Sequence, residues 1–324
     1  MWYIVVSFLS GLIIVLISKY SSLFVDNANK PQGFHTKKTP RAGGLGIFLA
    51  FLGVGFKLPL WALLGLFLVF LSGFLEDLNM SLSPKRRLLL QTLGVICVIY
   101  TDHLVITHFT PFFNLPFVLA LPFSVFMLVG ISNAMNIIDG FNGLAGGLSA
   151  IILAILYMIE PNDALLALLL GVLGFLVLNF PKGYIFLGDG GAYFLGLICG
   201  VHLMDLALRG VVSVWFGLAL MIYPVTEVLF SIARRKYKRK KATLPDALHL
   251  HTLIFKALSL KTTPLNSNAL TGLVVVGLNL PFMCISFICR HQPYLLLSLI
   301  GVFVCAYLLF YQWLLNYHKE NPCV

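Results

Sequence analysis

A chain of 324 residues with 59% apolar and only 10% charged side chains falls far below the roughly 25% charge of a soluble domain. Its long apolar runs need lipid around them, which excludes an ordinary water-soluble fold. The formal charge of +10 sits at segment ends, the pattern of topology control and anionic-lipid contact, and argues against nucleic acid as a partner.

In chain order, apolar segments fall at about 2–18, 43–57, 59–75, 88–106, 117–134, 143–159, 164–180, 191–208, 211–230, 268–288 and 293–315. The first lacks a basic start and a cleavage site, so it reads as a retained helix. The expectation is an all-α polytopic membrane protein of about eleven transmembrane helices, forming a single domain over 1–324. With the N-terminus outside (periplasmic) and the C-terminus cytoplasmic, nineteen Lys and Arg fall inside and three (Lys57, Arg209 and Arg290) outside, a bias that sets orientation. The six cysteines form no C-x-x-C pair and read as small hydrophobes.

The inner side carries polar stretches at about 19–42, 76–87, 133–142, 181–190 and 231–267. Glu76-Asp77 ends an apolar helix, and two adjacent carboxylates ionise together only if a cation compensates; the plain alternative is a solvated helix end. Between 133 and 144, Asn133, Asn136 and Asp139 are i,i+3 neighbours if helical. Gly140, Asn142 and Gly143 follow, where the chain can turn tightly; the plain alternative is helix termination. Asp189 lies among glycines in Phe186-Leu187-Gly188-Asp189-Gly190-Gly191 and opens the next helix, whose free N–H groups favour phosphate; the plain alternative is an N-cap. His249 and His251 follow the basic run 234–241. In a regular helix they diverge by about 160°, so they do not share a zinc; phosphate contact by imidazole, Lys and Arg is the better reading. Carboxylates holding Mg2+ and basic residues holding phosphates suit phosphoryl transfer at the membrane surface.

In this order, Lys38-Thr39-Pro40-Arg41-Ala42-Gly43-Gly44, Glu76-Asp77, the stretch from Asn136 to Ala145, Phe186 to Gly191, and His249-Leu250-His251 resemble the markers of the polyprenyl-phosphate N-acetylhexosamine-1-phosphate transferases, glycosyltransferase family 4. The resemblance covers nearly the whole chain. It implies a multi-pass enzyme of the bacterial inner membrane, with its site facing the cytoplasm. Such an enzyme uses Mg2+ (Mn2+ as an alternative) to move a sugar 1-phosphate from a UDP-N-acetyl sugar to undecaprenyl phosphate and release UMP. It implies Asp77 as the residue that positions or deprotonates the acceptor phosphate, Asp189 as metal ligand with Asp77 as a second candidate, and Asn136 and Asp139 along the nucleotide. His249 and His251 match the loop that meets phosphates or donor. Asn133, Asn142, Lys182, Lys38 and Arg41 complete the candidate binding set, with membrane lipids and a homodimer as further partners.

Two departures stand out. Glu76 replaces the usual first Asp, and Asn142 replaces a second Asp and loses a charge. The histidine triplet of the phospho-N-acetylmuramoyl-pentapeptide branch is absent, and His249-Leu250-His251-Thr252 looks more like the branch that starts O-antigen or capsule synthesis. That pentapeptide transferase is the alternative, followed by a transporter of lipid-linked or nucleotide sugars and a non-catalytic scaffold.

Overall fold

The computed structural model describes residues 2–21, 24, 39–237 and 248–320. The helices are α1 (Trp2–Ile17), α2 (Gly43–Gly55), α3 (Leu60–Asp77), α4 (Pro84–Asp102), α5 (Phe117–Ile138), α6 (Leu144–Ile159), α7 (Asp163–Asn179), α8 (Gly188–Leu208), α9 (Val214–Leu220), α10 (Ile222–Tyr237), α11 (Leu250–Ser259), α12 (Pro264–Ile288) and α13 (Pro293–Glu320). One departure from all-α is a two-stranded antiparallel hairpin, β1 (His108–Phe109) with β2 (Phe113–Asn114), on the α4–α5 connection.

The expected eleven crossings are corrected by helix length. Among the described residues five helices are long and apolar enough to span: Leu60–Asp77, Phe117–Ile138, Gly188–Leu208, Asn266–Ile288 and Pro293–Glu320; the bent pair α9 and α10 makes a sixth if counted as one span. At 1.5 Å per residue the 16 residues of α1 reach only about 24 Å, against a hydrocarbon core of about 30 Å. α2, α6 and α7 are likewise apolar but short, and α4 carries Lys85, Arg86, Arg87 and Asp102 within 19 residues. Counting apolar runs overcounted spans, because several runs form helices of fewer than 18 residues, shorter than a bilayer crossing needs. The assignment of the two termini to opposite sides rested on an odd count and falls with it.

α8 is the central element. Its apolar window is 72% buried, against 22–44% for the other four long helices. Phe194 and Leu195 are fully enclosed, and α2, α3, α5 and α9 pack around it. Glycine sets how closely they approach. A Cβ on Gly44 would fall 2.2 Å from the Gly191 Cα, and one on Gly73 would fall 2.4 Å from the Asp189–Gly190 peptide. Backbone-to-backbone approach of this kind substitutes for the hydrophobic drive that lipid removes. A layer of Phe48, Phe70 and Phe194 locks α2, α3 and α8 together, with Phe48 stacked on Phe70 at 4.3 Å and edge-on to Phe194 at 5.1 Å.

α9 and α10 meet at 76°. Pro224, in the first turn of α10, has no N–H to continue the ladder of α9 toward the Leu220 carbonyl, which accounts for the break.

Candidate active site

Three acidic motifs far apart in sequence converge at the start of α8. Asp77, the last residue of α3, is 2% exposed. Its Oδ1 accepts from the Asp189 N–H at 2.9 Å and its Oδ2 from the Gly190 N–H at 3.0 Å. The carboxylate therefore caps α8 across 112 residues of sequence and supplies the anion its N-terminus favours. A free N-terminus waiting for phosphate, as read from sequence, is thus already answered by Asp77 at these two N–H groups. Gly188 enters α8 at φ +81°, and a Cβ there would lie 2.6 Å from both the Asp77 Oδ2 and the Arg41 carbonyl. Only glycine fits that position.

The stretch before α2 runs beside the same turn. Phe186 N–H donates to Pro40 O at 2.9 Å, Gly43 N–H to Phe186 O at 2.8 Å, and Gly44 N–H to Leu187 O at 2.8 Å. This short ladder brings Arg41 to the acidic centre. Lys38 and the basic residues 238–241 lie outside the described residues. Lys182 is exposed on the α7–α8 connection.

Asp189 is partly buried and pairs with Arg87, in the first turn of α4, at 2.8 Å. Asp139, one residue beyond α5, is pushed up to about 7 by desolvation first and then by the charge of Asp189; a hydrogen bond from the Gly188 backbone and the charge of Arg41 act against the rise. Two carboxylates thus face each other across the Gly188 turn, with Arg41 and Arg87 supplying positive charge. Glu76 stands half-buried beside Asp77.

The amides divide. Asn136 Nδ2 donates to Tyr193 Oη at 3.2 Å, beside the acidic centre. Asn133 Nδ2 turns into the bundle, to Gln91 Oε1 at 2.7 Å and Val129 O at 2.8 Å. Asn142 is 1% exposed. Its N–H donates to Asn268 Oδ1 at 2.8 Å and its Nδ2 to Pro181 O at 2.9 Å, so it ties the 139–143 turn to α12 and to the α7–α8 connection. Asn179 extends this tie, accepting from Gly143 N–H at 2.7 Å and donating to Ile185 O at 2.8 Å.

The histidines meet because His249 is extended. It precedes α11 with φ −71° and ψ 150°, so helical divergence does not apply and the two rings stack at 5.2 Å and 5°. His249 Nδ1 pairs with Glu227 Oε1 at 2.9 Å. His251 is 3% exposed and its Nδ1 pairs with Tyr223 Oη at 3.0 Å. Burial brings His251 down to about 4, so it is neutral at pH 7 and binds by hydrogen bond instead of charge. Its ring sits edge-on to Phe141 at 5.5 Å, which joins the histidines to the Asp139 turn.

Sequence reasoning missed Arg87 as the partner of Asp189, and with it Gln91, Asn179, Tyr193, Glu227 and Asn268. Glu227 alone carried a signal, as an ionisable residue inside the apolar segment 211–230. The others are ordinary helix residues whose partners depend on the fold.

A model of glycosyl transferase family 4 matches residues 59–207, the span that holds Asp77, Asp139 and Asp189. The chain is 33% identical over 269 residues to a Bacillus subtilis protein described as a "probable undecaprenyl-phosphate N-acetylglucosaminyl 1-phosphate transferase", covering 76% of this chain and 75% of that one. The chain belongs to glycosyl transferase family 4. It is also 31% identical over 260 residues to a phospho-N-acetylmuramoyl-pentapeptide-transferase of a Synechococcus species (72% and 75% covered), and 30% over 268 residues to that of Staphylococcus carnosus (76% and 74%). The chain is therefore a member of the polyprenyl-phosphate sugar-1-phosphate transferase superfamily, related to both branches and not singled out for the O-antigen-initiating one.

Proposed function

We propose that the chain transfers a sugar 1-phosphate from a UDP-linked sugar to undecaprenyl phosphate at the cytoplasmic face of the membrane. The observation that carries this reading is the convergence of Asp77, Asp139 and Asp189 on the Gly188 turn, with Arg41 and Arg87 facing them. An acceptor phosphate oxygen attacks the sugar-bearing phosphorus of the donor. The bond between that phosphorus and the bridging oxygen breaks, and UMP leaves with the oxygen. Arg41 and Arg87 offset the charge gathered on the phosphates. Asp77 holds the α8 entry rigid, so that Asp189 projects from a fixed turn. Arg41, Lys85, Arg86, Arg87 and Lys182 lie in the stretches that carry the site, and such clustering of Lys and Arg supports a cytoplasmic orientation.

Kinship implies Mg2+. Among the described residues no three His, Cys, Asp or Glu side chains group closely enough to hold a metal alone. That suits Mg2+, which takes one or two carboxylates and completes its shell with substrate phosphates and water. Asp189, partly exposed and hard in its oxygen donors, and Asp139 fit such an ion, with Asp77 behind them. When bound, the ion would neutralise the diphosphate and polarise the reacting phosphorus.

Two donors divide the family. The N-acetylmuramoyl-pentapeptide donor is supported by the greater number of relatives bearing that name. A simple UDP-N-acetylhexosamine is supported by the Bacillus relative and by the His249-Leu250-His251 pattern. Purified protein with Mg2+, undecaprenyl phosphate and each UDP-sugar separates them by UMP release and lipid product. Release with the pentapeptide donor alone selects the first, release with a UDP-N-acetylhexosamine alone selects the second, and no release with any donor overturns the proposal.

A further inference from the structure

α10 grips the histidine segment at three consecutive residues. Glu227 and Arg234 lie seven residues apart, two turns along one face of α10. The Arg234 guanidinium donates to the Leu248 carbonyl and to Tyr311 Oη. Glu227 Oε1 accepts from His249 Nδ1 at 2.9 Å and from Leu250 N–H at 3.2 Å. α13 backs both: Tyr307 Oη donates to Glu227 Oε2 at 3.0 Å, and Tyr311 Oη to Leu248 O at 3.1 Å. Glu227 is 1% exposed, and three donors converge on its carboxylate.

A buried carboxylate costs several kcal/mol in lost hydration, and capping one short helix does not require a full charge. Its distinctive partner is the imidazole. An acceptor-only group at Nδ1 forces the proton onto that nitrogen and leaves Nε2 as the ring's outward atom, the relation by which carboxylates orient histidine ligands elsewhere. His249 keeps part of its surface exposed, while its stacked neighbour His251 lies against Phe141 and about 3.8 Å from where a Cβ on Gly140 would stand. The oriented ring is therefore linked to the Asp139 turn through the ring of His251 stacked on it.

We infer that Glu227 is a positioning residue of the transfer site: it fixes the tautomer and direction of His249 so that Nε2, left as an acceptor, meets an O–H or N–H group of the UDP-sugar donor. This rests on the transferase reading above. Tyr307 holds the carboxylate, and Arg234 with Tyr311 holds the backbone that carries the ring.

The test is a double-mutant cycle read by UMP release against UDP-sugar concentration, using the donor that the wild type accepts. Glu227→Leu removes the acceptor and should lower kcat/KM at least about tenfold, chiefly through KM. Glu227→Gln keeps an oxygen for Nδ1–H and should stay within about threefold. In a His249→Ala background, Glu227→Leu should cost less than about threefold, since residues that act through each other are not additive. An equal loss in both backgrounds makes Glu227 a structural cap of α11 and overturns the inference. So does a tenfold loss for Glu227→Gln, which would make the charge, not the hydrogen bond, decisive. Should Glu227→Leu fail to fold, Tyr307→Phe replaces it in the same cycle, with a smaller loss that must also vanish without His249. A wild type that releases no UMP with any donor overturns the transferase reading, and this inference with it; an active wild type with an additive cycle overturns the inference alone.

Discussion

The two ends of α8 carry the same chemistry in opposite settings. At the Gly188 end, Asp189 is four-fifths covered, its partner Arg87 is likewise mostly covered, and Asp77 is enclosed with both oxygens on backbone N–H groups. At the Leu208 end, Arg209 forks onto Glu160 and reaches Asp205, and all three side chains are about 44% exposed. One end spends buried charge where water is scarce, which is costly without a function. The other spends charge at the surface, where it is cheap and weakly coupled. Ion pairs of similar length therefore predict very different consequences when cut.

The largest effect should come from the covered end. Asp189→Asn should lower turnover by about 10³-fold or more, because it removes a carboxylate aimed at the diphosphate and frees Arg87. UMP release over a range of Mg2+ concentrations checks this; an unchanged rate and unchanged Mg2+ response would reduce Asp189 to a helix-start residue. Asp77→Asn comes next, at about 10²-fold or more, because an amide presents one acceptor where α8 offers two N–H donors. Glu76→Gln should cost less than about tenfold, since Glu76 is not in that cap. Single-turnover transfer with all substrates saturating ranks the two, and the reverse ranking breaks the comparison at its centre.

This ranking also marks how far the sequence could be read. Glu76-Asp77, Asp139 and Asp189 announce themselves as acids at the ends of apolar helices, and their order along the chain resembles one family. What sequence could not supply is that Asp77 faces backbone instead of substrate at two points, because its partners lie 112 and 113 residues away. His249 and His251 were visible, but their stacking depends on one extended residue before α11. Helix number was overread for a related reason. Apolar composition reports removal from water, whether into lipid or against protein, and α2, α6 and α7 bury much of their sides against other helices.

A middle-sized effect tests the electrostatics of the covered end. Asp139 holds its proton up to about pH 7 in the folded protein, while an unfolded carboxyl releases it near 3.9. Between these values the folded state binds the extra proton, so stability falls as pH rises from about 4 to 7 and then levels. Melting temperatures of the Mg2+-free protein should follow that slope. Asp139→Asn should flatten it, because an amide has no proton to lose. A slope that survives the substitution unchanged assigns the titration elsewhere.

The smallest effect belongs to the exposed end, and its smallness is the point. Arg209→Ala removes a bidentate contact to Glu160 and an i,i+4 contact to Asp205. Glu160 loses the hydrogen bond that holds its carboxyl below the usual range, so what stability the pair contributes is present above about pH 4.5 and lost as pH falls through the lowered value. Exposed pairs of this kind contribute about 0–1 kcal/mol. A shift of no more than a few degrees in melting temperature should follow at pH 7, shrinking further at high salt because screening over about 10 Å already weakens surface charges. Transfer rates should stay within about twofold, since the whole length of α8, about 30 Å at 1.5 Å per residue, separates Arg209 from Asp189. A tenfold loss of rate in Arg209→Ala with normal melting would mean that α8 transmits strain between its ends, and the contrast between a working end and an anchoring end would no longer hold.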